Sequence, residues 1–496
     1  MATRFISSDT ATLFEKSTGK ADVLELLWGD RVTTSETSSG RTKVKARGRE
    51  GWVPTPRLGT ESLLEFYFID VGQGDGVLVR TPDHRHILID GGFPRRNQAT
   101  GKNAADFVDW KFFKDYRRRR IDLDAIITSH NDADHYGGLW DLINPDESHE
   151  LNLDEVRVDV MYHAGVSWWR SPQRKRFLGA KTPTDAGLML TRLLDNRADA
   201  VRSLKASSNP RLQGEWAKFI QRVTECKALN GTSSTRIQRL SHADEFVPGF
   251  EPGREPVPGD RHGDVAIRVL APVEFVVGGK PAIRNLGSDS QNTNGNSLLL
   301  RFDYGRTRIL LTGDLNAAAQ QRLLEDYNGE RLEFKCDVAK GCHHGSADIS
   351  YEFLAAMEPA VTIISSGDNE GHDHPRPSVV AASATTGFME IKDDKLASPL
   401  IYSTELARSV SLGKPSKLTL ADGSTAPLSS ARVEYKEKKS GDRNPRTRSR
   451  TLDRTLIVAG VIYGLVNVRT DGEKILCAVM NEKDHSWQVK TITSRF

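Results

Sequence analysis

Three observations in this sequence predict an α/β fold. Short apolar runs rich in β-branched and aromatic residues recur along the chain, bounded by glycine or aspartate, as in LEFYFIDV, GVLVRT and HILIDGG between residues 64 and 92. Helical patterns such as AAAQQRLLEDY and YEFLAAME alternate with later runs of the same kind. Histidines and aspartates gather directly after the apolar runs, where α/β proteins build their sites.

Taken in order, residues 21–58 read as several short strands, with alternation in TKVKARG and a turn before GWV that suit a small β-barrel. Gly29-Asp30 and Gly51-Trp52-Val53 resemble the corresponding places of a bacterial SH3-like domain, so residues 1–60 are expected to form one and to recruit a protein partner. Residues 61–496 are read as the main domain. After the three opening strands comes a helix candidate, NAADFVDWKFFKDYRRRR, then the strand LDAIITS, then the stretch SHNDADHYGGL, with a short helix expected from about Gly138. Residues 145–262 fit the strand–helix rhythm poorly. They read as a helical insertion with one strand (EVRVDVMYHAG), a basic aromatic loop (SWWRSPQRKRF) and a long helical pattern from Asp185 to Ala228. Strands return at VAIRVLAP, SLLLRFDYG, TRILLTGD, CDVAKG and AVTIISSGD. Residues 433–455, hydrophilic and rich in Arg and Lys, are expected to form a mobile loop before closing strands around a turn at Thr470-Asp471-Gly472.

Composition excludes some classes. The 496 residues are 38% hydrophobic and 27% charged, with a net charge of +3, and the mean hydropathy is −0.48. No run approaches the roughly 18 consecutive apolar residues of a membrane span, and MATRFISSDTATLFEK lacks the apolar core of a secretion signal. Four cysteines without a CxxC pair suggest a reducing compartment. A cytoplasmic protein with no membrane partner is the expectation.

Chemistry concentrates at strand ends. His130, Asp132, Asp134 and His135 fall within six positions after an apolar strand. Imidazoles and carboxylates together suit divalent ions such as Zn²⁺ and Mn²⁺, with Mg²⁺ favoured as oxygen donors increase. Asp314 ends the strand in LLTGDL, His343 and His344 follow another in KGCHHGS, and His374 follows a third in GHDHP. A solvated turn explains one such cluster; four strand ends that meet at one edge explain a site.

The pattern HxDxDHxGG at 130–138 resembles the metal-binding signature of the metallo-β-lactamase superfamily. FIDVGQGDG, ILIDGG, SHNDADHYGGL, NSLLLRF, LLTGDL, KGCHHGS and GHDHP, in that order over residues 62–376, resemble its ComEC/Rec2 competence-protein branch. The resemblance implies an αββα sandwich with two divalent ions at one edge. His130 and Asp132 would ligate one ion and Asp134 and His135 the other; Asp314 would bridge, and one of His343 and His344, with His374, would complete the shells. Asp90 matches a position that braces the histidine loop. Lys340 matches a family lysine expected to face a phosphate. Two departures stand out: Asp132 replaces the middle histidine of HxHxDH, and QNTNGNS replaces the usual histidine before LLTGD. His163 is the one nearby candidate to substitute.

Such a site implies phosphodiester hydrolysis, with Asp134 orienting water and a histidine, His343, serving the leaving oxygen. Nucleic acid is the expected substrate. Trp168 and Trp169 offer stacking faces beside Arg170, Arg174, Lys175 and Arg176. A hydrolase of small substrates (cyclic nucleotide, lactone or β-lactam-like amide) and a degenerate binding module are the alternatives.

Overall fold

The computed structural model describes residues 2–98, 101–146, 151–172, 177–253, 255, 259–260, 262–367, 374–392, 395–397, 399–404, 411–413, 417–419, 422–427, 432–437, 446–451, 457–459, 465–481 and 486–496. The chain divides into two compact units, one of residues 1–408, 463–480 and 486–496, the other of 409–462 and 481–485.

Two sheets form the middle of the first unit. The larger runs, in spatial order, Arg236–Arg239, Glu155–His163, Arg120–Thr128, His86–Ile89, Val77–Arg80, Leu64–Ile69, Leu465–Thr470, Lys474–Asn481 and Ser486–Thr493. The second runs Ala266–Ala271, Leu299–Tyr304, Thr307–Leu311, Val338–Lys340, Val361–Ile364 and Leu400–Ser403. Side chains alternate across each strand. Phe66 and Phe68 face Leu300, Phe302, Ile309 and Val338 in the core between the sheets, where Phe66 meets Phe302 edge-on with ring centres 5.0 Å apart. Their neighbours Tyr67 and Ile69 face the other way, onto helices α1 (Ala104–Trp110) and α2 (Ala133–Ile143). Leu299, Leu310 and Ala339 likewise turn outward, onto residues of two later helices, Ala317–Asp326 and Tyr351–Met357. Helix, sheet, sheet and helix therefore stack in four layers.

Several expectations need correction. α2 begins at Ala133, five residues before Gly138: Asp132 occupies its N-cap position without a side-chain capping bond, and Asp134 lies in its first turn, where a carboxylate suits the helix dipole. The expected helical insertion is only partly one. Glu155–His163 pairs in parallel along almost all of Arg120–Thr128, and Arg236–Arg239 pairs with Glu155–His163, so both belong to the large sheet. Pro210 and Gly214 break the predicted helix of 185–228 into Arg197–Leu204 and Gly214–Glu225, while Gly187–Leu190 pairs as a strand with Lys181–Thr184 and Lys280–Arg284.

The N-terminal region is a seven-stranded antiparallel-paired sheet that starts at Ala2–Ile6, earlier than expected. Its order is open, with Asp22–Leu27 and Leu58–Gly59 as edges, so a closed SH3-like barrel is not formed by strand pairing among the described residues. One edge is covered instead: Trp487 Nε1 donates to the Glu25 carbonyl at 3.0 Å.

In the second unit, Arg432–Glu437 and Arg446–Thr451 pair antiparallel where a mobile loop was expected. Alternation of charged residues with Val433, Tyr435, Thr447 and Ser449 suits a ladder better than its hydrophilicity suggests. No described helix is long and apolar enough to cross a membrane.

Candidate metal centre

Convergence follows from parallel pairing. Ile89 aligns with Ile127, Leu310 with Ala339 and Lys340 with Ile363, so these strands end at one edge. The residues just beyond their ends are Asp90, His130, Asp314, His343 and His344. In parallel sheets this is the edge where ligands bind.

At that edge Asp75, His135, Asp314 and His344, all buried, bring donor atoms within 4.8 Å of one another. Three of these atoms make a nearly equilateral triangle. His135 Nε2 lies 3.2 Å from Asp314 Oδ2, His344 Nε2 lies 3.0 Å from the same oxygen, and the two nitrogens are 3.2 Å apart. Donors about 2.0–2.1 Å from a tetrahedral ion are separated by roughly 3.3 Å, so this face fits Zn²⁺ or a similar ion without rearrangement. Asp314 Oδ1, His130 Nε2, Asp75 Oδ1 and His344 Nδ1 are all buried without a hydrogen-bond partner among the described residues, and Asp314 Oδ1 and His130 Nε2 stand as atoms left for a cation would.

Each imidazole is held from behind. Asp90 Oδ2 is 2.9 Å from His135 Nδ1, while Asp90 Oδ1 accepts from the Ser129 amide at 2.8 Å. Asp75 Oδ1 is 3.2 Å from His344 Nδ1. The buried Lys340 ammonium pairs with Asp75 Oδ2, donates to the Gly313 carbonyl at 2.8 Å and lies 3.5 Å from Asp314 Oδ1. Lys340 is thus enclosed among carboxylates, and the expected phosphate-facing role does not match its place: a fully buried ammonium must be paired, and the pairs it finds are internal.

The backbone contributes strain and close approach. His343 and His344 have φ of 46° and 52°, left-handed values that cost about 1–3 kcal/mol each and cluster at functional sites. Gly74 has φ +112°, and a Cβ there would stand 1.9 Å from the Asp134 carbonyl oxygen, so only glycine lets the Asp75 turn rest on α2.

Electrostatics follow the geometry. Burial alone would lower His135, but Asp314 and Asp90 raise it well above the ordinary histidine value. Burial likewise opposes charge on His344, yet Asp314 and Asp75 raise it to about 9. Burial would raise Asp314, and His344, His135 and His343 hold it well below the usual carboxylate range. Burial dominates at His130, aided by His135, and lowers it well below normal.

The other predicted residues lie around this triangle. His130 Nδ1 is 3.1 Å from Ser129 Oγ and 3.3 Å from Ser297 Oγ, and its ring centre is 4.0 Å from that of His135. Asp134, half-buried, is 3.9 Å from His344 Nε2 and accepts from Gln73 Nε2 at 3.3 Å. Asp132, half-buried, stands at the N-cap position of α2 and is not among the four converging donors. His343 is 23% exposed at the rim, 3.9 Å from Asp314 Oδ2 and 3.2 Å from Asn294 Nδ2. His374 stands behind it, with ring centres 6.1 Å apart. Of the two neighbouring histidines, His344 enters the triangle. His163 stays outside: its Nδ1 accepts from the Gly165 amide at 3.0 Å, and burial lowers it to about 3.

The aromatic loop is also corrected. Trp169 is fully buried with the Arg192 guanidinium 4.0 Å over its ring, and Trp168 is half-buried, donating to the Asn131 carbonyl at 3.3 Å. Packing against the helices consumes the stacking face of Trp169. Arg170 is exposed; Arg174, Lys175 and Arg176 lie outside the described residues. Asp75 went unread in the sequence. Its signal was GQGDG, an acid between two glycines on the turn after the first apolar strand.

A family model described as the Metallo-beta-lactamase superfamily matches residues 69–367. ComE operon protein 3 of Bacillus subtilis (strain 168) is 33% identical over 93 residues, 18% of this chain and 12% of that protein. Competence protein ComA of Neisseria gonorrhoeae is 31% identical over 102 residues, 20% of this chain and 14% of that protein. The matches therefore span only a small part of either curated relative. Among solved structures, the metallo-beta-lactamase fold protein YhfI from Bacillus subtilis aligns with TM-score 0.29 and 11% identity over 68% of this chain and 96% of its own. A diphosphatase of the PhnP family aligns with TM-score 0.24 and 11% identity over 59% and 73%.

Proposed function

This chain belongs to the metallo-β-lactamase superfamily, and we propose that it is a metal-dependent phosphodiesterase acting on nucleic acid. The triangle of His135, His344 and Asp314 carries the reading, with 3.0–3.2 Å edges that already match an ion's donor spacing. A divalent ion bound there supplies Lewis acidity toward a phosphoryl oxygen and acidifies water. The second ion that the competence branch implies would draw on His130 and Asp132, with Asp314 shared; Mn²⁺ or Mg²⁺ suits that oxygen-richer set.

The chain's own groups do the rest. Asp134, half-buried and held by Gln73, orients the attacking water and takes its proton. His343, at the rim with Asn294 on its Nε2, faces the leaving oxygen. Asp90 keeps His135 in one tautomer. Nucleic acid is favoured over a small substrate by the competence relatives and by the basic strand pair of 432–451, RVEYKE and RTRSRT. The N-terminal sheet would recruit a protein partner. Four free cysteines suit a cytoplasmic setting.

The test is metal-stripped protein reloaded with Mn²⁺, Zn²⁺ or Mg²⁺ and assayed on labelled single- and double-stranded DNA, RNA, a phosphodiester dye, a lactone and a β-lactam. Metal-dependent cleavage of nucleic acid that falls steeply with salt is expected. Turnover of the lactone or β-lactam with none on any phosphodiester would overturn the proposal.

A further inference from the structure

We propose that Asp75 is a positioning residue: clamped by Lys340, its carboxylate stands as the ion-pair partner of the Nδ1 side of His344 and so presents Nε2 to an ion shared with His135 and Asp314. The inference rests on reading the cluster as a divalent-ion site and is independent of the substrate.

Asp75 belongs to the four-residue cluster, which makes it a candidate ligand on proximity alone. Its direction of contact says otherwise. Asp75 Oδ1 meets His344 at Nδ1, 3.2 Å away, the nitrogen opposite the one that approaches Asp314. Its other oxygen is taken by Lys340, and stands 3.9 Å from the Nδ1, not the Nε2, of His135. The placement parallels the Asp90–His135 pair on the facing strand end, where a carboxylate hydrogen-bonded to Nδ1 at 2.9 Å leaves Nε2 for the triangle; the Asp75–His344 contact is an ion pair and not a hydrogen bond. Two imidazoles are thus oriented by two carboxylates from different loops, a support that metal-bound histidines commonly receive.

Lys340 makes the second brace one-sided. A free carboxylate beside an ion would itself tend to bind it. An ammonium on Oδ2, anchored by the Gly313 carbonyl at 2.8 Å, holds Asp75 back and neutralises it. Lys340 also touches Asp314, 3.5 Å away, so one cation sets the position of both a ligand and a brace.

The experiment compares the full-length chain with Asp75→Ala, Asp75→Asn, the double variant D75N/K340M and Asp314→Ala. Mn²⁺ and Zn²⁺ affinity is measured by chelator competition, metal content per chain by elemental analysis, and the His344 tautomer by nitrogen-15 NMR. Asp75→Ala should weaken binding about 10–100-fold without changing the number of ions held, and free the tautomer of His344. Asp75→Asn leaves Lys340 facing an amide and is the variant most prone to misfold, so D75N/K340M supplies the decisive case. It keeps an acceptor for Nδ1 and removes the stranded charge; binding should return to within about tenfold of wild type, with the Nδ1–H tautomer restored. Loss of an ion in D75N/K340M equal to that in Asp314→Ala would make Asp75 a ligand and overturn the inference. A wild-type chain that binds no ion at all would sink it together with the function on which it rests, a result distinct from the first.

Discussion

At the scale of single residues, the site is a contest between burial and pairing. His135 is fully buried yet held between Asp90 and Asp314, so it contributes through its partners rather than through packing. His135→Ala should abolish tight metal binding and hydrolysis while leaving the fold intact, read by elemental analysis and circular dichroism. Asp90→Asn keeps an acceptor for Nδ1 and should lose only about 10–100-fold in metal affinity. Equal affinity in wild type and Asp90→Asn, with both folded, would show that the brace is idle. The run His130–His135 was legible because six positions with four ionisable groups after an apolar strand have few structural uses. Asp75 and Lys340 were not legible in the same way. An acid between glycines reads as a turn, and a lysine at a strand end reads as a contact to solvent or ligand; only tertiary structure shows that each is the other's partner.

At the scale of elements, strand–turn–helix joints decide where these residues sit. Legibility here tracks local pattern. Short apolar runs bounded by turn residues, such as Leu64–Ile69, are readable as strands. Glu155–His163 reads as a strand of an insertion, because its partner lies 35 residues earlier and no local signal reports that pairing. The predicted helix of 185–228 failed for a reason present in the sequence: Pro210 removes a backbone donor and Gly214 adopts φ +73°, both helix breakers. α2 starts ahead of its two glycines, with the Asp134 carboxylate in its first turn favoured by the helix dipole, and the glycines let it pack against the preceding loop; a Cβ at Gly138 would stand 2.0 Å from the Gly91 carbonyl oxygen. The same argument makes Gly74→Ala a sharp test. The new methyl must displace the Asp134 carbonyl or force the Asp75 turn away, a shift on top of an unfavourable positive φ. Stability should fall by about 1–3 kcal/mol in urea titration, and metal affinity should fall with it. An unchanged affinity would mean that the turn and α2 are not coupled.

At the scale of the whole molecule, the N-terminal sheet is joined to the large sheet through buried charge as well as apolar contact. Leu27, Trp28 and Leu63 pack with Leu476, Ala478 and Trp487. Behind them Arg469, wholly buried, donates to Asp30 Oδ1 at 2.8 Å and to the Trp28 carbonyl at 2.5 Å, while Arg47 approaches Asp30 Oδ2 at 2.9 Å. Burial by itself would raise Asp30, but Arg47, Arg469 and Lys111 overcome it and hold the carboxyl well below its ordinary range. A carboxylate depressed in the folded state stabilises the fold above its unfolded value, near 3.9, and that stabilisation drains away as pH falls toward the depressed value. The window therefore opens below about pH 5 and deepens with acid. Asp30→Ala at pH 7 strands two guanidiniums, one of them fully buried, and should cost about 3–5 kcal/mol. Trp28 and Trp487 line the joint, so their fluorescence reports both sheets. Wild type should unfold in one transition whose stability declines from pH 5 to 3, and Asp30→Asn should start lower with a flatter pH dependence. Two separate transitions in the wild-type chain, or parallel pH slopes in the two proteins, would mean that Asp30 does not tie the N-terminal sheet to the hydrolase core.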